Sequence, residues 1–285
     1  MRRLTLLTNP DACNLHCPLC FLNQRPRRGG LGEMPFGVAC AAIEKYAAER
    51  DGTGNRVLRE VIPSTMGEPL LYSNFAKLLE FCGSLGLPLN LTTNGSFPDG
   101  WGEANGMEKL LAACSDIKVS SLSAEGGGLD FKKWRGNVSR LLEVRRRMLK
   151  GGGSPATVSL QVTLHRENLD RVEPLLRWAE VEGVHRIKWN PAVFLEASPR
   201  GLRERFQLNL DEIDSLKRRF RTGDLRSSVV KIGGSLFFES AGGLCPVGGK
   251  CGACPFEDEV WVWPDGHEDH CPNPERRWGG WETSW

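Results

Sequence analysis

The sequence predicts an α/β protein: a partial (β/α)6 barrel of the TIM type, followed by a small C-terminal α+β domain. Three observations predict it. Short β-rich runs alternate with longer helical patterns over the first two-thirds of the chain, a cysteine-dense loop directly follows the first run, and the pattern changes beyond Pro199. In order, residues 4–8 alternate as a strand, and the alanine-rich run 37–49 repeats apolar residues at helical spacing. Residues 56–64 return to strand character. Residues 74–85 read as a helix broken by Gly86 and Pro88, followed by a strand at 89–93 and a helix at 107–114. A strand at 117–122 precedes a basic amphipathic helix at 131–150, which stops at Gly151-Gly152-Gly153. A strand at 157–164, a helix at 169–182 and a strand at 184–189 complete six units, the last ended by Asn190-Pro191. Alternation of this kind implies parallel pairing, with chemistry at the C-terminal ends of the strands. A charged helix at 211–221 with Asn209 as its N-cap follows, then strands at 229–238 and 260–263. The expected division is a barrel over 1–200, a linking helical segment over 201–228 and a small domain over 229–285.

Composition limits the function. The 285 residues carry 37 basic and 35 acidic side chains, a net charge of +2. That balance argues against a dedicated nucleic-acid binder, which usually carries a basic domain or stripe. No apolar run approaches the ~20 residues that span a bilayer, so no membrane association is expected. Residues 1–10 do not read as an export signal, so the expected location is cytoplasmic and reducing. Disulfides then explain ten cysteines poorly. Cys13, Cys17 and Cys20 form one group and Cys245, Cys251, Cys254 and Cys271 another. Cys40, Cys82 and Cys114 stand alone and read as packed thiols.

The first group reads Cys-x3-Cys-x2-Cys on the loop after the first strand, so three thiolates can converge at the barrel mouth. Three thiolates on a [4Fe–4S] cluster would leave one iron open to an exogenous ligand. In spacing and context the segment resembles the radical S-adenosylmethionine superfamily. The resemblance implies that the open iron chelates the amino and carboxylate groups of S-adenosylmethionine, whose reductive cleavage yields a 5′-deoxyadenosyl radical that abstracts a substrate hydrogen. A zinc loop or a redox thiol set is the plainer alternative. Further motifs follow in the family's order. Met66-Gly67-Glu68-Pro69 resembles the glycine-glycine-glutamate-proline turn, with Met66 replacing the first glycine; it implies backbone approach at Gly67 and acceptance from the ligand's ammonium by Glu68. Thr93-Asn94-Gly95 resembles the turn that lies near the ligand. Ser121-Leu122-Ser123 keeps a hydroxyl at Ser121, whereas Ser123 replaces the usual acid. Trp134-Arg135-Gly136 implies a carboxylate partner at Arg135, and Leu19 occupies a position that often meets adenine. The cofactor-binding set so implied is Leu19, Gly67, Glu68, Asn94, Ser121 and Arg135, with Cys13, Cys17 and Cys20 as metal ligands.

The tail reads Cys245-x5-Cys251-x2-Cys254-x16-Cys271, enough for a closed zinc site or a fully ligated cluster. With Trp261 to Gly266 it resembles the start of the SPASM or twitch extension of radical enzymes, which implies an auxiliary [4Fe–4S] cluster on all four cysteines in a twitch-like domain. A zinc knob, or a cluster held by three of the four, are the alternatives. His267, His270 and the basic run from Arg25 to Arg28 read as exposed loop residues or as groups near the substrate. Five of the nine tryptophans lie between Trp261 and Trp285 and could shield the cluster or line a peptide groove. Enzymes with such extensions often mature ribosomal peptides or proteins by crosslinking, epimerisation or oxidation. The expected partners are therefore S-adenosylmethionine, a peptide or protein substrate, and a flavodoxin- or ferredoxin-type electron donor. An aminocyclitol-type small-molecule dehydrogenase is the runner-up, and a non-catalytic iron–sulfur or zinc-binding protein a remoter reading.

Overall fold

A computed structural model of the chain describes residues 2–24, 30–63, 66–121, 130–196, 198–237 and 258–270. Their elements run β1 (Arg2–Leu6), α1 (Phe21–Gln24), α2 (Phe36–Ala47), β2 (Leu58–Pro63), α3 (Phe75–Ser84), β3 (Leu89–Thr93), α4 (Ala104–Ala113), β4 (Cys114–Ser121), α5 (Phe131–Lys150), β5 (Thr157–Leu164), α6 (Val172–Glu182), β6 (Arg186–Pro191), α7 (Arg200–Phe206), α8 (Leu210–Thr222), β7 (Lys231–Gly233), β8 (Glu259–Val262) and β9 (Glu268–Asp269). One sheet has the order β7-β6-β5-β4-β3-β2-β1-β8-β9. Every pairing is parallel except β8 with β9. The six βα units therefore stand in sequence order, and the sheet is a partial barrel that does not close.

The alternation within each strand sorts side chains between two faces. Leu4, Leu6, Val61, Leu89, Leu91, Ile117, Val119, Val158, Leu160, Val162, Ile187 and Trp189 form one core with the apolar stripes of the helices. In α5 the stripe is Trp134, Val138, Leu141, Leu142 and Val144, which follows the 3.6-residue period, while the arginines and lysines of the helix lie on its other side. The opposite face of the sheet carries Thr5, Glu60, Asn90, Asp116, Lys118, Ser159 and Lys188. Among the described residues α2 to α6 and α8 cover the first face, while on the opposite face Trp261 of β8 packs with Phe21 and Leu22 of α1 beside the polar row.

Two runs expected in a separate appendage belong to this sheet. β8 lies parallel to β1, with Leu4 opposite Val260 and Leu6 opposite Val262, because Val260 and Val262 continue the apolar row that α2 covers. The 229–238 run yields only the three-residue β7, which pairs with β6. Gly234 ends it: its φ is +109°, and a Cβ there would stand 2.3 Å from the Trp189 carbonyl oxygen, so the chain turns into a 3-10 segment at Ser235–Phe237. Elsewhere the boundaries follow the sequence closely. Asn209 caps α8 through a capping box with Glu212: its side chain accepts from the Glu212 N–H at 2.8 Å, and Glu212 accepts from the Asn209 N–H at 2.7 Å. Gly183, in the left-handed region at φ +78°, closes α6. The helix α7 has no counterpart among the predicted elements. Among the described residues no helix is long and apolar enough to cross a membrane.

Candidate metal and cofactor centre

The loop from Thr8 to Cys20 leaves β1 at the C-terminal edge of the sheet and is held there by three neighbouring loops. Asn9 is the first tie. Its side-chain amide donates to the Glu68 carbonyl at 2.6 Å, its Oδ1 accepts from the Thr8 hydroxyl at 2.8 Å, and the residue is buried. The Glu68 N–H donates to the Ala12 carbonyl at 2.8 Å. Gly67 makes this approach possible. Its φ is +73°, and a Cβ would lie 2.2 Å from the Asn9 carbonyl oxygen and 2.6 Å from that of Ala12. The glycine expected from sequence to let backbone approach a ligand is therefore also where two loops touch.

Glu68 is fully buried. Its carboxylate accepts from the Thr93 hydroxyl at 2.8 Å, the Asn94 N–H at 2.7 Å and the Leu70 N–H at 3.3 Å. Burial pushes its pKa up to about 7, against the lowering effect of those three donors. The carboxylate expected to accept from a ligand ammonium is thus committed to joining the loops after β2 and β3. Asn94 in turn reaches the cysteine loop: its side-chain amide lies 2.9 Å from Asn14 Oδ1 and 3.7 Å from Cys13 Sγ. Asn14 donates to the Ser96 hydroxyl at 2.9 Å. Gly95 completes the turn at φ +80°, where a Cβ would stand 2.8 Å from Val119 and 2.9 Å from the Trp134 ring.

The three thiols occupy this locked loop. Cys17 is buried, while Cys13 and Cys20 are partly so. Burial pushes the Cys17 thiol up to about 12, and the nearby Cys20 and Cys13 add to the shift. Burial likewise raises Cys20, with Cys13 contributing, and raises Cys13, with Glu68 contributing. Such coupling requires the three sulfurs to lie near one another. Among the described residues no three Cys, His, Asp or Glu side chains close around a single ion. Three neighbouring thiolates from one loop fit a polynuclear iron–sulfur group, in which each thiolate takes its own iron.

The remaining expected residues divide. The side chain of Leu19 is covered by Phe206 of α7, in a small cluster bordered by Phe194 and Leu202. Ser121 ends β4 on the helix side of the sheet, lining a cavity with Phe131, Val162, Asn168 and Trp189. Arg135 is exposed, with its guanidinium over the Trp178 ring at 4.9 Å. It follows Trp134, which faces inward and donates to the Ser120 carbonyl at 3.0 Å, so the helix turns Arg135 outward onto α6. Neither Ser121 nor Arg135 is brought to the cysteine loop. Leu122, Ser123, Arg25 to Arg28, Cys245, Cys251, Cys254 and Cys271 lie outside the described residues. Cys82 and Cys114 are buried in the main core, as expected of packed thiols, and Cys40 is half-buried on α2.

Sequence reasoning missed Asn9, Asn14 and Gln24. The buried Gln24 amide donates to the Leu19 carbonyl at 2.8 Å, and its Oε1 accepts from the Leu195 N–H at 3.0 Å and the Ser198 hydroxyl at 2.5 Å. It ties the cysteine loop to the segment after β6. A polar residue at a strand exit could have marked Asn9, whereas the partners of Gln24 lie some 170 residues away and leave no local signal.

A parallel partial barrel with three neighbouring thiols on its first loop defines the class: a barrel whose mouth fits an iron–sulfur group. The family model described as the Radical SAM superfamily matches residues 10–179. The chain belongs to that superfamily, and membership implies a [4Fe–4S] cluster and S-adenosylmethionine. Among solved structures, SuiB from Streptococcus suis bound to S-adenosylmethionine is similar with a TM-score of 0.63 at 15% identity, over 95% of this chain and 60% of that one. SuiB bound to its precursor peptide SuiA gives 0.62 at 14% identity, over the same shares. The anSMEcpe structure with bound AdoMet and Cp18Cys peptide gives 0.60 at 16% identity, over 81% of this chain and 62% of that one. At these identities the likeness is one of fold. The chain spans about three-fifths of the length of these proteins.

Proposed function

We propose that the protein cleaves S-adenosylmethionine reductively and uses the product to modify a peptide or protein. The observation that carries the reading is the thiol loop locked to the Gly67–Glu68 and Asn94 turns. In this reading Cys13, Cys17 and Cys20 hold a [4Fe–4S] cluster, and Cys245, Cys251, Cys254 and Cys271 hold an auxiliary one in a twitch-like C-terminal extension whose strands β7 and β8 join the barrel sheet. When bound, the first cluster and S-adenosylmethionine supply an electron and a carbon radical able to abstract hydrogen.

The chain's own residues prepare this. Gly67 brings two loops within hydrogen-bonding range, and Asn9 holds the loops in register. Glu68 acts as a positioning residue: by accepting from Thr93 and the Asn94 backbone it fixes the Asn94 amide beside Cys13 and Asn14. Gln24 anchors the far end of the loop on the segment after β6, and Leu19 packs it against α7. Such anchoring keeps ligand geometry fixed without reorganisation at the moment of reaction. SuiB bound to its precursor peptide SuiA and anSMEcpe bound to the Cp18Cys peptide share this fold, which supports a peptide or protein substrate here. A flavodoxin- or ferredoxin-type donor and a reducing, cytoplasmic setting complete the proposal.

The test is anaerobic reconstitution with iron and sulfide, followed by reduction with dithionite in the presence of S-adenosylmethionine. Formation of 5′-deoxyadenosine, lost on Cys17→Ala, supports the reading. Failure of the wild-type protein to form it would overturn the reading, and a product on a sugar but on no peptide would favour the small-molecule dehydrogenase.

A further inference from the structure

Resting on the proposed peptide-modifying function, we infer that the face of the sheet opposite α2 to α6 binds a carboxylate of the substrate through Lys118 and Lys188. Both lysines lie on that face. β5 stands between their strands, with Lys118 opposite Ser159 and Lys188 opposite Gln161. Lys118 is only 8% exposed. Lys188 is half-buried.

Among the described residues neither ammonium makes a hydrogen bond or an ion pair, because the acids of the same face are engaged by others. Asp116 Oδ1 accepts the hydroxyls of Thr157 at 2.7 Å and Ser159 at 2.9 Å. Glu60 Oε2 accepts from Asn90 at 3.0 Å and Ser115 at 2.9 Å. Glu259 is paired with Arg3. Two further polar atoms on this face, Thr5 Oγ1 and Asn90 Oδ1, are buried without a partner.

A buried cation without a directly paired anion is costly. Burial, then the charge of Lys188, lowers Lys118 to about 8, although Asp116 and Glu60 oppose the shift. Burial also lowers Lys188. An incoming carboxylate would supply the missing counter-charge where desolvation strengthens the pairing. The face lies on the side of the sheet opposite α2 to α6, below the strand ends that carry the cysteine loop. A peptide would meet it with an acidic side chain or with its C-terminal carboxylate.

The probes are N-acetyl-glutamate N-methylamide, its glutamine counterpart, and N-acetyl-alanine as free acid and as amide. Each is titrated by ligand-observed NMR into the anaerobically reconstituted protein with S-adenosylmethionine present. We expect the acid to bind at least tenfold tighter than its neutral counterpart in one pair or both, and the pair that discriminates tells side-chain from terminal carboxylate. Lys118→Met and Lys188→Met should each reduce the preference and together abolish it, with thermal melting, cluster absorbance and S-adenosylmethionine binding as checks on folding. Equal binding of acid and neutral probes to the wild-type protein overturns the inference, and this reading needs no variant. So does a preference that survives in a folded double variant. Uncoupled 5′-deoxyadenosine formation is measured alongside, so that a failure of the lysine site is told apart from a failure of the proposed enzyme activity.

Discussion

Replacing Gly67 by alanine should disable the centre through the backbone. The added Cβ would stand 2.2 Å from the Asn9 carbonyl oxygen and 2.6 Å from that of Ala12, and both obstacles are main chain, which cannot rotate away. A non-glycine residue in the left-handed region costs roughly 1–2 kcal/mol, and forcing atoms into a packed site roughly 1–3 kcal/mol. Loops pushed apart would also lose the Glu68 N–H bond to Ala12 and the Asn9 amide bond to Glu68, at about 1 kcal/mol each. Strain and overpacking give about 2–5 kcal/mol if the loops hold, and strain with the two lost bonds about 3–4 kcal/mol if they separate. At ~2–4 °C per kcal/mol for a domain of this size, the melting temperature should fall by roughly 10 °C in either case. If the loops separate, the loss appears also in iron bound per chain. Thermal unfolding and iron analysis after reconstitution read both outcomes. A Gly67→Ala protein with wild-type melting and full iron content would refute the claim that two loops are in contact at this glycine.

Arg135→Ala should leave S-adenosylmethionine affinity within about twofold of wild type, because the guanidinium is stacked on Trp178; a tenfold loss, read by equilibrium dialysis, would contradict this placement. Gly234→Ala should destabilise the sheet edge by at least about 2 kcal/mol, since its Cβ would meet Trp189 backbone, as denaturant unfolding would show. Lys118→Met should stabilise the substrate-free protein near neutral pH. The folded-state pKa lies below the ordinary lysine value, so the wild-type penalty is full below about pH 8 and fades as pH rises from about 8 towards 10.5. That lowering corresponds to ~3 kcal/mol, and the gain over wild type in denaturant melts should shrink across that window. A gain that stays flat with pH would contradict the buried, unpartnered ammonium.

Much of the barrel was legible because its helices and strands have different periods. Residues 131–150 and 157–164 were read to the residue, since a two-residue and a 3.6-residue repeat there meet at a glycine run. The edge strands were less so. Val260 and Val262 show alternation but not the partner, and pairing with β1 bridges more than 250 residues. The thiol loop stands out by local spacing, and the Gly67, Glu68 and Asn94 turns by their resemblance and order along the chain. That Glu68 accepts from Thr93 and Asn94, and that Arg135 faces outward through the phase of α5, are not visible in either. Gln24 and the lysines of the polar face depend on distant strands coming together, which no local pattern records.

The account rests on Cys13, Cys17 and Cys20 acting together as one cluster site. Its most direct test is electron paramagnetic resonance of the reduced, anaerobically reconstituted protein in which Cys245, Cys251, Cys254 and Cys271 are all replaced by alanine. The account predicts a reduced [4Fe–4S] signal that S-adenosylmethionine alters. Absence of that signal in a folded variant, or a signal that survives when Cys13, Cys17 and Cys20 are also replaced, would contradict it.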